Sequence, residues 1–330
     1  PNLIYPGQVL TLPWGEAMAA ELVAEQEGAI FLPATLGGVE WTTQRSGAPG
    51  TLTFTVLEDE GFPVLREGCR MSLRLDGKGL FCGYVFTRTQ TDRRQVQITA
   101  YDQLRYLRSR DTLVYAGKKA SDLLRILAAD FRLSLGTVED TGYMIPLGTE
   151  ENVPIWDMLE NALDDTYRAT GRRYVLYDDF GRLCLKSAGS LILPLLLDGD
   201  TVQGFCCEES IDSETYTRVR LLYEDGRRGI RQLFSGANES LEERWGVLQY
   251  FEKLSDPTGG WERVSSLLRT HSEPSLTVTV TGALGHPSVR AGVSLFTDLP
   301  GADRTMTVES ARHVFRGPVH TMDLELRKGE

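Results

Sequence analysis

Hydrophobic and polar residues alternate with a period of two over most of the stretch from Phe31 to Ala100. Leu52, Phe54 and Val56 alternate with threonines, Met71, Leu73 and Leu75 alternate with Arg70, Ser72 and Arg74, and Val96, Ile98 and Ala100 share one face. Such alternation predicts strands with one buried side. Asp76-Gly77 predicts a tight hairpin between two of them. Ahead of this region, residues 1–13 are punctuated by proline and glycine, and Trp14 to Glu27 reads as helical.

The period then changes. Ala120, Leu123, Leu124, Leu127, Ala128 and Phe131 recur at helical spacing. A second helix is predicted from about Pro154 to Thr170, with Pro154 at its first position, Gly171 as its cap and Trp156, Leu159, Leu163 and Tyr167 as its apolar stripe. A strand pair follows, Arg173 to Tyr177 and Arg182 to Lys186, turning at Asp178-Asp179-Phe180-Gly181. Residues 110–200 therefore read as a small α/β insert.

Strand patterning returns after residue 200. Val219, Leu221 and Tyr223 alternate with polar neighbours, Gly229 to Phe234 is the returning strand, and Trp245 to Phe251 is a further one. One helix, Trp261 to Thr270, interrupts before Leu276, Val278 and Val280 resume the alternation. The order of pieces after Gly292 echoes that after Gly68. Strands at Met71 to Leu75, Leu80 to Thr89 and up to Ala100 match strands at Ser294 to Asp298, Thr305 to Phe315 and up to Leu326, in length although not in residue identity. The expectation is two antiparallel β units with one wiring, separated by an α/β insert.

Composition narrows the function classes. Thirty-five basic residues against 46 acidic ones give a net charge of -11, which disfavours gripping nucleic acid through its phosphates. No apolar run approaches the roughly 18–20 residues that span a bilayer, and Pro1 to Pro13 lacks the basic start and apolar run of a signal peptide. The five cysteines, Cys69, Cys82, Cys184, Cys206 and Cys207, are irregularly spaced and read as buried free thiols of a protein made in a reducing cytoplasm.

Candidate chemistry is sparse. Among the four histidines, His313 and His320 flank a predicted turn and could meet across a hairpin, with Asp323 as the nearest third metal ligand. Asp164-Asp165 and Asp178-Asp179 are adjacent carboxylates, but neighbours on a helix or turn diverge, and both pairs read as solvated. Gly117-Lys118-Lys119 lacks the other residues of a phosphate loop. Arg105, Arg108 and Arg110 beside Tyr101 and Tyr106 read as a charged edge. No catalytic, cofactor or metal residue is assigned, and no enzyme is expected.

Several local phrases carry a family resemblance. They are Ala100-Tyr101-Asp102-Gln103-Leu104-Arg105-Tyr106-Leu107, Lys119-Ala120-Ser121-Asp122-Leu123-Leu124, the hairpin Arg172 to Leu183, Trp245 to Lys253, Arg290-Ala291-Gly292-Val293-Ser294 and His320-Thr321-Met322. In this order they resemble the XkdQ/YqbQ-type tail proteins of PBSX-like prophages, which are similar to the baseplate hub of T-even phages and to late control protein D. The resemblance implies a mainly β fold of two related antiparallel, tail-tube-like β-barrel domains around a small α/β domain. Three copies would form a pseudo-sixfold ring joining a sixfold tail tube to a threefold spike; the acidic balance of the chain adds the expectation that its lumen carries part of the negative surplus. The implied partners are further copies of the chain, the tube protein, the central spike protein, LysM-containing adaptor or baseplate wedge proteins, and the tape measure protein. The implied setting is assembly in the bacterial cytoplasm into a virion tail or an extracellular phage-tail-like particle. Asn2 to Pro13 also resembles the closing strand of a LysM module; a hub following a LysM in a longer polypeptide, a processing remnant and coincidence all stay open. The expected organisation is then residues 1–13 as the end of that module, 14–30 as linker and helix, 31–105 as the first barrel, 106–200 as the insert, and 201–330 as the second barrel with a helical insertion near 258–271. The rival reading is a tail-tip cell-wall hydrolase or peptidoglycan-binding protein.

Overall fold

The computed structural model describes residues 20–58, 64–90, 92–212, 214–226, 229–254 and 257–328; the LysM-like stretch lies outside them. The alternation read from the sequence becomes burial. Leu52, Phe54, Val56, Met71, Leu73, Leu75, Val96, Ile98 and Ala100 all point into one core. That core is wrapped by seven strands: β1 (Ala20–Gln26), β2 (Ala29–Phe31), β3 (Thr35–Gln44), β4 (Thr51–Leu57), β5 (Arg70–Leu75), β6 (Lys78–Gln90) and β7 (Gln95–Tyr101). Asp76 and Gly77 both take positive φ, as a two-residue hairpin whose twist matches its strands requires.

The helix expected from Trp14 to Glu27 begins outside the described residues, and its described part is not helical. Ala20–Gln26 is β1, paired antiparallel with β5 from Ala20 opposite Leu75 to Glu25 opposite Arg70. Its alanines and glutamates favour a helix, but Leu22 and Ala24 fill the core only from an extended chain, and the tertiary pairing wins.

The insert follows, with β8 (Arg110–Lys118), α1 (Ala120–Asp130), β9 (Leu135–Val138), β10 (Ile145–Pro154), α2 (Ile155–Thr170), β11 (Tyr174–Asp178) and β12 (Leu183–Ser187). The stripes of both helices meet in a separate core with Leu104, Leu107, Leu183 and Leu185. Pro154 stands just before the helix rather than at its first position, and Gly171 ends it in the left-handed conformation.

The second β unit begins inside the span expected for the insert. β13 (Ile192–Asp198) pairs with the later β19 (Ser294–Asp298), and β14 (Gly204–Ser210) pairs with β18 (Ser275–Leu284). Between β14 and β18 the chain leaves the unit. β15 (Arg218–Asp225), β16 (Ile230–Ala237) and β17 (Gln249–Leu254) pair only with one another among the described residues, and α4 (Gly260–Thr270) covers them around Val219, Leu221, Phe234 and Val264. These strands were expected in the second barrel; they form a satellite layer instead. The strand expected from Trp245 is preceded by an unforeseen helix, α3 (Glu239–Trp245), capped by the Asn238 side chain on the Leu241 N–H. β20 (Thr305–Arg316) and β21 (Val319–Lys328) complete the unit.

With the short β2 set aside, each unit has six strands. The first is ordered β3-β4-β7-β6-β5-β1 and the second β14-β18-β21-β20-β19-β13. Counted in chain order within its unit, each reads two-three-six-five-four-one, so the wiring is the same. The match reaches single hydrogen bonds. Gly68 N–H donates to Val85 O at 2.8 Å and Val85 N–H to Cys69 O at 2.9 Å; Gly292 N–H donates to Val308 O and Val308 N–H to Val293 O, both at 2.8 Å. Immediately after Val85 and after Val308 the strand bulges against its neighbour. One departure is that β1 runs antiparallel to β5, whereas β13 runs parallel to β19.

Ile98 and Leu324 occupy equivalent places in β7 and β21, and both are buried. Ile98→Ala and Leu324→Ala should each destabilise their unit by about 2–5 kcal/mol, read as a shift in the midpoint of urea unfolding.

Candidate assembly surface

The two units are joined edge to edge. β20 is long enough to serve both: its start pairs with β19, and its end, Ser310 to Phe315, pairs antiparallel with β3 from Gln44 to Val39. One sheet therefore runs through both units. The side chains of β20 divide in the same way. Met306, Val308 and Ala311 enter the second core, and Phe315 enters the first.

The seam is closed by rings on one side and ions on the other. Trp41 stacks on His313 at 4.8 Å between centroids, and Phe315 stacks on His320 at 4.3 Å. His313 lies 2.9 Å from Val289 O through Nε2 and 2.9 Å from His320 Nε2 through Nδ1. A carbonyl only accepts, so His313 Nε2 carries a proton, and with both rings neutral Nδ1 accepts from His320 Nε2–H. On the outer side Arg312 bridges Glu40 at 2.6 Å and Asp323 at 2.8 Å; Arg45 pairs with Glu309 at the end of the seam, and on the ring side Ala291 N–H donates to Thr43 Oγ1 at 2.9 Å. Gly38, at φ 104°, lets β3 approach so closely that a Cβ there would stand 2.3 Å from Phe315 O.

Burial sets the protonation. It pushes His313 down to about 3, assisted by His320, and His320 down to about 4, assisted by His286. Above 6.5 neither form is charged in the folded or unfolded chain and the seam keeps its full contribution. As pH falls, the unfolded chain takes protons that the folded chain refuses, and stability is lost toward pH 4. A buried carboxyl pair runs the other way. Asp102 accepts from Gly50 N–H and Leu104 N–H, and burial with the Asp178 charge pushes its carboxyl up; burial also pushes Asp178 up to about 6. The contribution of Asp178 falls as pH rises from 3.8 toward 6, and that of Asp102 is likewise lost as pH rises.

Asp178 also explains how the insert is seated. It accepts from Gly181 N–H at 2.7 Å and from Gln103, whose own carbonyl accepts from Ser134 N–H at 2.8 Å. The hairpin so held reaches both units. Arg74 lies over the Phe180 ring at 4.7 Å, and Arg290 lies over the Tyr177 ring at 3.0 Å. Gly292 has no side chain to oppose Val175, which stands 2.3 Å from where a Cβ would be.

The residues singled out from sequence meet different fates. His313 and His320 do come together, but to each other and a carbonyl, while Asp323 is committed to Arg312 and Gly282 N–H. Among the described residues no His/Cys/Asp/Glu cluster is arranged for a metal ion. Asp178 is largely shielded rather than solvated, because the hairpin turns against Gln103; Asp165 stays on the surface and pairs with Arg168 at 3.0 Å. Arg105 lies over Phe86, and Arg110 bonds Asn152. Cys69, Cys82 and Cys184 are buried free thiols as expected, but Cys206 is exposed on the outer strand β14.

Two mainly antiparallel units of the same strand order fused through one strand, with an α/β insert at their junction, make up the fold of a phage tail protein. The chain superposes on the 43 kDa tail protein of prophage MuSo2 from Shewanella oneidensis with a TM-score of 0.70 and 14% identity, over 93% of this chain and 98% of that one. The family model described as YQBQ-like matches residues 39–327, and the chain belongs to that family. It is similar to the PBSX phage-like element protein XkdQ (29% identical, covering 86% of this chain and 89% of the relative) and to the uncharacterized protein YqbQ (28%, with the same coverage), both of Bacillus subtilis strain 168. Among the described residues no helix is long and apolar enough to cross a membrane.

Gly38→Ala should cost more than about 1 kcal/mol, because it places a Cβ against the seam backbone at a φ that side chains resist; thermal unfolding measures it. For His320→Phe, the stability difference from wild type should move against wild type by about 1.4 kcal/mol per pH unit between 6.5 and about 4. Denaturant titrations at several pH values read that slope, and parallel profiles would exclude the histidine pair as its source.

Proposed function

We propose that this chain is a structural component of a phage tail or phage-tail-like injection machine, and specifically its hub. In this reading three copies form a ring of six similar β units, which meets a sixfold tube on one side and a threefold spike on the other. The observation that carries it is the shared wiring of the two units. A ring of six like positions needs like building blocks, and one chain supplies two. XkdQ is a protein of the PBSX phage-like element, and the MuSo2 relative is a tail protein; both support a tail role for this chain.

The structural rather than enzymatic reading rests on what the titratable groups do. His313, His320, Asp102 and Asp178 are turned inward and satisfy neighbouring backbone and side-chain atoms. The proposed contacts beyond the ring are the tube protein, the spike protein, LysM-containing or wedge proteins and the tape measure protein, and the proposed place is the tail of a virion or an extracellular particle. The proposed division of the chain is a first hub domain, the α/β insert, and a second hub domain carrying the satellite layer of β15 to β17.

Sedimentation of the purified chain should give three times the mass of one copy, and electron microscopy of tail particles should show one threefold layer beneath a sixfold tube. A monomer at all concentrations that is also absent from particles would remove the hub reading. Clearing of a peptidoglycan suspension by the purified chain would favour a hydrolase.

A further inference from the structure

The joint inside the chain specifies what a joint between chains must look like. Matching β6/β7 to β20/β21 through their common bulge places Thr87 with Ser310, Arg88 with Ala311, Thr89 with Arg312 and Gln90 with His313. Matching β3/β4 to β14/β18 through the neighbouring pairs, Leu52 opposite Ala100 and Val278 opposite Leu326, places Trp41 with Cys207, Thr42 with Glu208, Thr43 with Glu209 and Gln44 with Ser210. In the seam the end of β20 pairs with β3. The equivalents are the end of β6 and the whole of β14. Among the described residues, no strand pairs with the outer side of β6 beyond Val85, and none with the outer side of β14.

We propose that these two open edges pair with each other between neighbouring copies, antiparallel, with Thr87 opposite Ser210, Arg88 opposite Glu209, Thr89 opposite Glu208 and Gln90 opposite Cys207. This rests on the ring reading and gives it a contact and a register. The occupant of each edge is a second copy of this chain, for two reasons. The in-chain seam is a worked instance of the same junction, and the charges are complementary. The β6 edge and its turn carry Arg88, Arg93 and Arg94 with one acid, Asp92; the β14 edge and its continuation carry Glu208, Glu209 and Asp212. Arg88 already holds one carboxylate, Glu58, and its side chain remains partly exposed beside the open edge. Glu209 is exposed. The pairing is head to tail, so every copy offers one edge of each kind, and three copies related by a threefold rotation satisfy all of them in a closed ring. It also removes two unpaired strand edges that would otherwise invite aggregation.

The test is a charge reversal on the full chain. Arg88→Glu sets two acids against each other, and Glu209→Arg sets two bases, so each should cut the ring fraction in sedimentation and the yield of intact tail particles by about tenfold or more. Arg88→Glu combined with Glu209→Arg should restore both. Thermal unfolding of each variant near the wild-type temperature shows that the chain itself is intact, and Glu209→Arg, which breaks no ion pair among the described residues, keeps the test open if Arg88→Glu does not fold. In a Cys206→Ser background, Thr87→Cys with Ser210→Cys should oxidise to covalent dimers and trimers, and Thr87→Cys alone should not. A threefold wild-type ring in which the double reversal fails to rescue and the cysteine pair does not cross-link overturns this register and leaves the hub reading standing. No ring in the wild type, in solution or on particles, overturns both.

Discussion

The structure depends on one strand being shared. β20 is hydrogen-bonded to β19 at its start and to β3 at its end, so a single backbone segment belongs to two cores. Its side chains follow suit, with Val308 and Ala311 buried in one core and Phe315 in the other. Strand pairing fixes the relative orientation of two units far more tightly than side-chain packing alone, because a slip of one residue would turn every side chain to the wrong face. The neutral histidine pair adds to this. His313 has both ring nitrogens engaged, which holds it to one position between Trp41 and His320.

The insert is fastened to this junction from outside. Its hairpin places Phe180 against the first unit, while Tyr177 and Val175 meet the segment that leads into β19. Gln103, directly after the first unit, bridges the Asp178 turn to Ser134. The short 3-10 helix Gln103–Arg108 that opens the insert is capped by Asp102 on the Leu104 N–H. The exit from the first unit and the tip of the hairpin are thus one hydrogen-bonded cluster, and the buried carboxyls at its centre are structural groups.

Much of this was legible in the sequence, where local pattern and tertiary context agree. Period-two alternation located β4, β5, β7 and β18, helical spacing located α1 and α2, and Gly171 marked the end of α2. The repeated spacing of strands after Gly68 and Gly292 pointed to a common wiring. The failures have physical causes. Alanine and glutamate in Ala20–Gln26 favour a helix, and only the distant partner β5 makes that segment a strand. β15 to β17 show the same alternation as the barrel strands, and alternation reports a buried face without saying against what. Asn238, with Glu239 and Glu242 after it, was an available signal for α3 that the stronger β pattern around it masked. The candidate assembly surface was less legible still. The histidines were visible as a pair, but the seam pairs residues more than 260 positions apart, such as Arg312 with Glu40, and nothing local encodes that register.

Fusing two like units into one polypeptide makes their joint unimolecular. Its closure is independent of concentration and is complete once the chain has folded. A surface that never faces water in the folded state can be lined with Trp41, Ala311 and uncharged imidazoles, with no provision for solubility. In the proposed ring the outer edges have no such protection, since each would have to remain soluble as a free chain until a partner arrives by diffusion. That difference in history would account for the difference in chemistry: the inner joint adds rings and a methyl group to its ion pairs, whereas the outer edges present arginine and glutamate on the same backbone frame.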